Sequence, residues 1–279
     1  MTQESAAYAT RYLRDIDRDR YLATLVLPSR EREAITALYA FNADIASVRE
    51  RAREPAAGEI RLQWWADALA GKGHGNVRQN PLADALLSVI ADYSLPTPPL
   101  TRMITARRFD LYQDPMPDMA SFEGYAGETV SALYQLGAMI LNGGAPVETG
   151  DAAGHMGVAH ALIGHLRAFG YNASQGRIFL PWEVFEICGV KESEVLAGQA
   201  SDGLAVALTK LSETAAEHLR KADAGTAALP RPLRAVFAPR AVLGLQLRRV
   251  DPDAPFVRTD DLADWRKIAA LGWWKLRNG

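Results

Sequence analysis

The apolar residues of this chain return every three or four positions, and that period restricts it to helices. Ile35, Leu38, Tyr39, Asn42, Ile45 and Ala46 fall on one face of a 3.6-residue turn, and Val130, Leu133, Tyr134, Gly137 and Leu141 do much the same. The alternation of a half-buried strand is nearly absent. RIFLP, from Arg177, is too short and too close to its proline to build a sheet. Short breaker clusters punctuate the helical pattern: LPSR from Leu27, GKGHGNVRQNP from Gly71, SLPTPP from Ser94, QDPMPD from Gln113, NGGAPVETG from Asn142, GTAALPRP from Gly225 and DPDAP from Asp251. None is long enough to divide the chain, and no repeat recurs at a fixed period. The expectation is one all-α domain over residues 1–279, an α-bundle of about ten to twelve helices, with Gly73 to Asn76 as its one mobile stretch.

Composition removes several function classes. The 279 residues, 48% of them hydrophobic, suffice for a full core. A net charge of −2 gives no concentrated basic surface for nucleic acid. The single cysteine, Cys188 in FEIC, cannot form an internal disulfide and reads as a buried structural thiol in a reducing compartment. The beginning, MTQESAAYATRYLRD, has an early Glu and no apolar core of a secretory signal. The longest apolar stretch, Val130 to Leu141, is interrupted by Ser, Tyr, Gln and Gly and is too short to span a bilayer. A cytoplasmic protein, soluble or peripheral at the inner face of the membrane, is expected.

Familiar catalytic patterns are missing. GKGHG follows a helical segment and lacks the Gly-Lys-Ser/Thr ending of a phosphate loop, so it reads as a plain loop. His155, His160 and His165 are spaced by five, which turns successive side chains about 140° apart and prevents all three from meeting on one metal. Each reads as solvated or singly hydrogen-bonded. There is no Gly-x-Ser-x-Gly elbow and no Cys-x-x-Cys pair.

Four segments in order carry a family resemblance: LYAFNADIASVRE from Leu38, RLQWWADAL from Arg61, YAGETVSALYQLGAMIL from Tyr125, and ALIGHLRAFGYNASQGRIFLP from Ala161. Together they resemble the squalene/phytoene synthase family, all-α isoprenoid synthases that join two prenyl diphosphates head to head. The resemblance implies an isoprenoid-synthase-like bundle whose chemistry uses clustered carboxylates, because a diphosphate leaves only when Mg²⁺ neutralises it and a hard cation needs oxygen ligands. The family's first cluster, Tyr-Ala-Phe-x-Arg-x-x-Asp-Asp-x-x-Asp, places its aspartates on Ala46, Ser47 and Glu50, and its Arg on Ala43. Asp44 stands about 200° from position 46 and cannot replace it. The second cluster, Asn-Ile-Leu-Arg-Asp-Val-x-x-Asp, falls on GHLRAFGYN, so its aspartates become Ala168 and Asn172 and its asparagine Gly164.

The scaffold residues persist. Arg167, Arg177, Tyr125 and Tyr39 are the ligand-binding candidates that the resemblance leaves, with internal ion pairs as the plainer role for the two arginines. Trp64 and Trp65 read as core, and the arginines around Glu50 (Arg49, Arg51 and Arg53) read as a solvated helix face. The departures follow a pattern similar to the branch that includes the mitochondrial complex I assembly factor 6, in which the same aspartates are replaced; LRRVDPDAPF and the following Trp-containing helix also resemble that branch. The implied function is non-catalytic: an assembly or interaction factor for respiratory complex I, with subunits of a membrane respiratory complex or their assembly intermediates as partners and neither metal nor cofactor. Two alternatives stay open. One is a live Mg²⁺-dependent prenyltransferase, and the other is a non-catalytic binder of a prenyl lipid or quinone. In the last segment, DLADWRKIAALGWWKLRNG, Trp265, Trp273 and Trp274 with Lys267, Lys275 and Arg277 suit a peripheral membrane contact, or else two tryptophans pack and the cations are solvated.

Overall fold

The computed structural model describes every residue except 53, 74, 259 and 279. It is helical throughout, with no strand among the described residues. The longer helices are Gln3–Ile16, Ser29–Ala46, Pro55–Leu69, Pro81–Asp92, Thr97–Ala106, the run 119–141, Asp151–Arg167, Asp202–Ala228, Pro239–Leu247 and Asp264–Asn278. Short helical turns join them, so the ten to twelve elements read from the periodicity correspond to these, while the turns were invisible to a pattern needing two or more repeats. Of the stretch expected to be mobile, His74 lies outside the described residues; Gly75 has φ 74° and Asn76 caps the short turn Val77–Gln79 by accepting from Arg78 N.

Two buried clusters meet along residues 119–141. One gathers Leu13, Leu38, Phe41, Trp65, Leu86 and Leu100 from the first five long helices, with Leu133, Leu136 and Ile140. The other gathers Phe122, Leu162, Phe185, Leu208 and Phe237 from the later ones, with Val130 and Tyr134. Since residues 119–141 supply apolar side chains to both clusters, they tie the halves into one all-α domain. The run contains a π-helical turn at Gly127–Ser131, and the Asp151–Arg167 helix presses against it at Gly157. A Cβ there would stand 2.5 Å from Ser131 N, so only glycine allows this approach. A π turn widens the backbone and re-aims its side chains, here Thr129 and Val130.

A polar hub closes the far side of the bundle. Lys267 is 1% exposed, and its Nζ donates at 2.6 Å to both Asp19 and Asp261. Arg167 Nη2 donates to Asp261 Oδ1 at 2.8 Å, and its Nη1 lies 3.7 Å from Asp19. Gln246 also donates to Asp19. Elements from both ends of the chain are thereby joined. Lys267 is thus a buried ion-pair partner and not a solvated cation. Cys188 is half-buried against the second cluster, because it sits where Trp182–Ile187 ends and not inside that helix.

Removing the buried ammonium leaves two carboxylates facing each other, while removing Arg167 takes away a more exposed partner. Lys267→Ala is expected to cost on the order of 3 kcal/mol and Arg167→Ala about 1 kcal/mol, both read from urea unfolding midpoints.

Candidate functional site

The two segments that carry the departures from the family pattern face each other across a central cleft of about 300 Å³. On one wall stand Ala46, Arg49 and Glu50, and on the other Ala161, Gly164, Ala168 and Asn172. The opening exists because these facing positions are small: Ala161, Gly164 and Ala168 repeat one turn apart along a single helix face, and Ala46 opposes them. Both walls pass through breaks in helical geometry, at Ser47 (φ −86°, ψ 0°) and Ala168 (φ −92°, ψ 7°).

The rest of the lining is aromatic and charged. Tyr125 is buried, donates to Asp110 Oδ1 at 2.7 Å and accepts from Arg107 at 2.6 Å; Arg107 also donates to Asp110 Oδ2 at 3.0 Å. Burial pushes the Tyr125 hydroxyl well above its ordinary range, so it stays protonated. Arg20 enters the cleft paired with Asp17. Glu50 stands at the mouth, and burial pushes its carboxyl up, the neighbouring Asp110 adding to this. Arg49 is 8% exposed, with its guanidinium 5.2 Å from the Phe179 ring centre. Its Nε and Nη2 are buried without a partner among the described residues, and so is Arg177 Nε. Arg49 and Arg177 also line an adjoining pocket of about 420 Å³.

The placement of the sequence candidates is mixed. Ala46, Glu50, Ala168, Asn172, Tyr125 and Arg177 all line the cleft. Ser47 does not; it sits in the helix break with its Oγ donating to the Asp44 carbonyl at 3.0 Å. Tyr39 is buried in the first core cluster, outside the lining. Arg167 belongs to the polar hub, as an ion pair, whereas Arg177 has no ion pair among the described residues. Asp44 turns away as its angle requires, accepting from Tyr12 and from Trp65 Nε1, both at 2.7 Å. Trp65 is core, with Trp64 edge-on to it at 5.1 Å.

Arg49 is the residue that the sequence reading misplaced on a solvated face. The signal was present: positions 46, 49 and 50 are spaced i, i+3, i+4 and share a face. Arg107 and Asp110 carried no such signal, since Tyr125 reaches them only through the fold. The histidines divide. His160 and His165 both line the cleft, while His155 pairs with His218 at 3.1 Å. His160 Nδ1 meets the Tyr134 hydroxyl at 2.8 Å, and His165 lies between Phe122 and Phe179.

Burial, with Arg20 adding for His160 and Arg107 for His165, pushes His160 down to about 3 and His165 down to about 4 from an ordinary 6.5. Both are neutral in the folded protein near pH 7. Between these values and 6.5 the unfolded chain takes up protons that the folded one refuses, so their stabilisation is complete above 6.5 and is lost as pH falls through that window. The loss is at most about 1.4 kcal/mol per pH unit per histidine. Urea midpoints are expected to fall between pH 7 and pH 5, and to fall less in His165→Phe.

Comparison with known proteins places this geometry. The family model described as squalene/phytoene synthase matches residues 13–267. The complex I assembly factor 6 of Homo sapiens is 28% identical over 77% of this chain, which spans 64% of that protein's length. The presqualene diphosphate synthase of Sinorhizobium fredii is 29% identical over 89% of this chain and 90% of its own. Among solved structures, a dehydrosqualene synthase in complex with ligand superposes with a TM-score of 0.82 at 22% identity, covering 99% of this chain and 96% of that one. The squalene synthase HpnC from Alicyclobacillus acidocaldarius gives 0.71 at 18%, covering 99% and 94%. With a family match over nearly the whole chain and a bundle of the same form, this chain belongs to the squalene/phytoene synthase family.

Proposed function

We propose that this chain is a non-catalytic member of its family that acts as an assembly or interaction factor for respiratory complex I. The observation carrying this is the donor set of the cleft. Mg²⁺ needs several converging oxygens, and the facing positions offer Ala46 and Ala168. Of the lining carboxylates, Asp110 is occupied by Arg107 and Tyr125, leaving Glu50. Among the described residues no three His, Cys, Asp or Glu side chains are grouped to hold a metal. The residues present do not fit the metal cluster that the prenyl-transferring chemistry uses. Similarity to the assembly factor supports the positive half of the reading, although the presqualene diphosphate synthase is as similar.

Such a factor would work beside a membrane, and the final helix offers a face for it. Among the described residues no helix is long and apolar enough to cross a bilayer. Trp265, Trp273 and Leu276 are 66%, 64% and 81% exposed. They share with Ile268, Ala269 and Gly272 an arc of about 140° around the axis, flanked by Arg266 and Arg277 on one side and Lys275 on the other. Trp274 packs inward, so one tryptophan and not two belongs to the core. Exposed indoles between cations suit the headgroup layer of an anionic bilayer.

Deleting the gene is expected to lower NADH-dependent quinone reduction in membranes and leave carotenoid and hopanoid levels unchanged; altered terpenoids with normal NADH oxidation would reject the assembly role. Purified protein is expected to consume neither farnesyl nor geranylgeranyl diphosphate with Mg²⁺, and pyrophosphate release abolished by Glu50→Gln would restore the enzyme reading. Vesicles containing anionic lipid are expected to sediment the native chain and to lose the Trp265→Ala/Trp273→Ala variant, with neutral vesicles retaining little of either.

A further inference from the structure

The last helix, Asp264–Asn278, turns one flank of its exposed face into a pocket. Arg277 stands about 40° around the axis from Trp273, just past the edge of the exposed arc, and Ala270 and Trp274 follow it toward the bundle. There, against Pro239–Leu247 and Asp202–Ala228, lies a space of about 570 Å³. Trp273 belongs to both surfaces, since it is 64% exposed and also lines the pocket.

The lining is divided by polarity. Met156, Phe237, Leu245 and Trp274 make one side apolar, while Arg240, Arg248 and Arg277 supply cations and Asp223 the one acid. Asp223 is already taken, because Arg240 closes on it through Nε and Nη2 at 2.8 and 2.7 Å. That fork fixes the guanidinium along its helix, with Nη1 over Gly244, where a Cβ would stand 2.5 Å from it. Nη1 is left as a positioned donor. The side chains of Arg248 and Arg277 have no ion pair or hydrogen bond among the described residues. Asp251, Asp260 and Asp261 line a different pocket, with Arg249. Three cations and one acid leave two positive charges unanswered in one concave site, and such a site concentrates anions.

We propose that this pocket receives the headgroup of one anionic phospholipid, its phosphate among Arg240, Arg248 and Arg277 and the start of an acyl chain against Leu245 and Trp274. An apolar wall beside a cationic one is complementary to an anionic amphiphile. A bilayer is the source, because Trp273 carries the lining directly into the exposed face of the last helix. The inference rests on the membrane contact proposed for that face and adds selectivity to it. Indoles between cations hold any anionic surface, whereas converging guanidinium groups take one headgroup at a counted site. No residue is shared with the lining of the central cleft.

The test titrates the full-length chain calorimetrically with dihexanoyl phosphatidylglycerol, kept monomeric below its micelle concentration. Saturable binding at one site is expected with no bilayer present. Arg248→Gln and Arg277→Gln are each expected to weaken it about tenfold. Arg11→Gln, which removes the same charge from an exposed position of the first helix, should leave it unaltered. Thermal unfolding of each variant separates lost binding from lost folding; should one pocket variant misfold, the other decides. Dihexanoyl phosphatidylcholine, whose head is neutral overall, and glycerol 3-phosphate, which lacks the chains, are both expected to bind about tenfold more weakly. Binding of either as tight as that of the anionic lipid would overturn the proposal. So would the absence of saturable binding at millimolar lipid, or pocket substitutions no more damaging than Arg11→Gln. Sedimentation with vesicles of phosphatidylcholine and phosphatidylglycerol tests the exposed face by itself, through Trp265→Ala, which lies outside the pocket. Monomer binding without sedimentation of the native chain rejects the membrane face while the headgroup site stands, and sedimentation without monomer binding does the reverse.

Discussion

A cation held inside a helical bundle has to be answered by an anion, and the interior of this molecule is arranged around that requirement. Lys267 is answered twice, by Asp19 and Asp261, and so fastens the last helix to the short helix Arg18–Thr24. Arg107 is answered by Asp110 and by the Tyr125 hydroxyl, which fixes one wall of the cleft against the next. Arg20 is answered by Asp17. In each case the low local dielectric that makes an unpaired charge expensive also makes the satisfied pair rigid. Arg49 and Arg177 are the places where the pattern is left open, and both lie on the wall of the cleft.

The cleft is a product of small residues as much as of charged ones. Ala46, Ala161, Gly164 and Ala168 open it, and the π turn beside Gly157 directs Thr129 and Val130 toward it. A carboxylate at position 46 or 168 would face a space already supplied with guanidinium groups. A fold sets where side chains converge and leaves their chemistry open. This chain is about equally similar to a presqualene diphosphate synthase and to an assembly factor.

Several side chains took roles that their local sequence did not announce. Arg49 lies in a run of charges, which ordinarily marks a solvated face, yet the Phe179 ring and the opposing helix enclose it. Arg167, beside the second degenerate motif, turns away from the cleft toward Asp261. Ser47 occupies an aspartate position of the family pattern but stands in a helix break. For Arg49 and Arg167 the deciding partner comes from a distant part of the chain, and neighbours in sequence carry no information about it.

The sequence by itself determined the helical class, the single all-α body, the absence of facing aspartates at Ala46 and Ala168, and the outward turn of Asp44. All of these follow from side-chain identity and the 3.6-residue period, which act within a few residues. The tertiary structure alone decided which charges are buried and with whom: Lys267 meets Asp19 across 248 positions, and Arg167 meets Asp261 across 94. It also decided that the exposed indoles of the last helix are Trp265 and Trp273. The physical reason is that periodicity is a local property, while the electrostatic surroundings of a side chain are set by whatever the packed helices bring within a few ångströms of it.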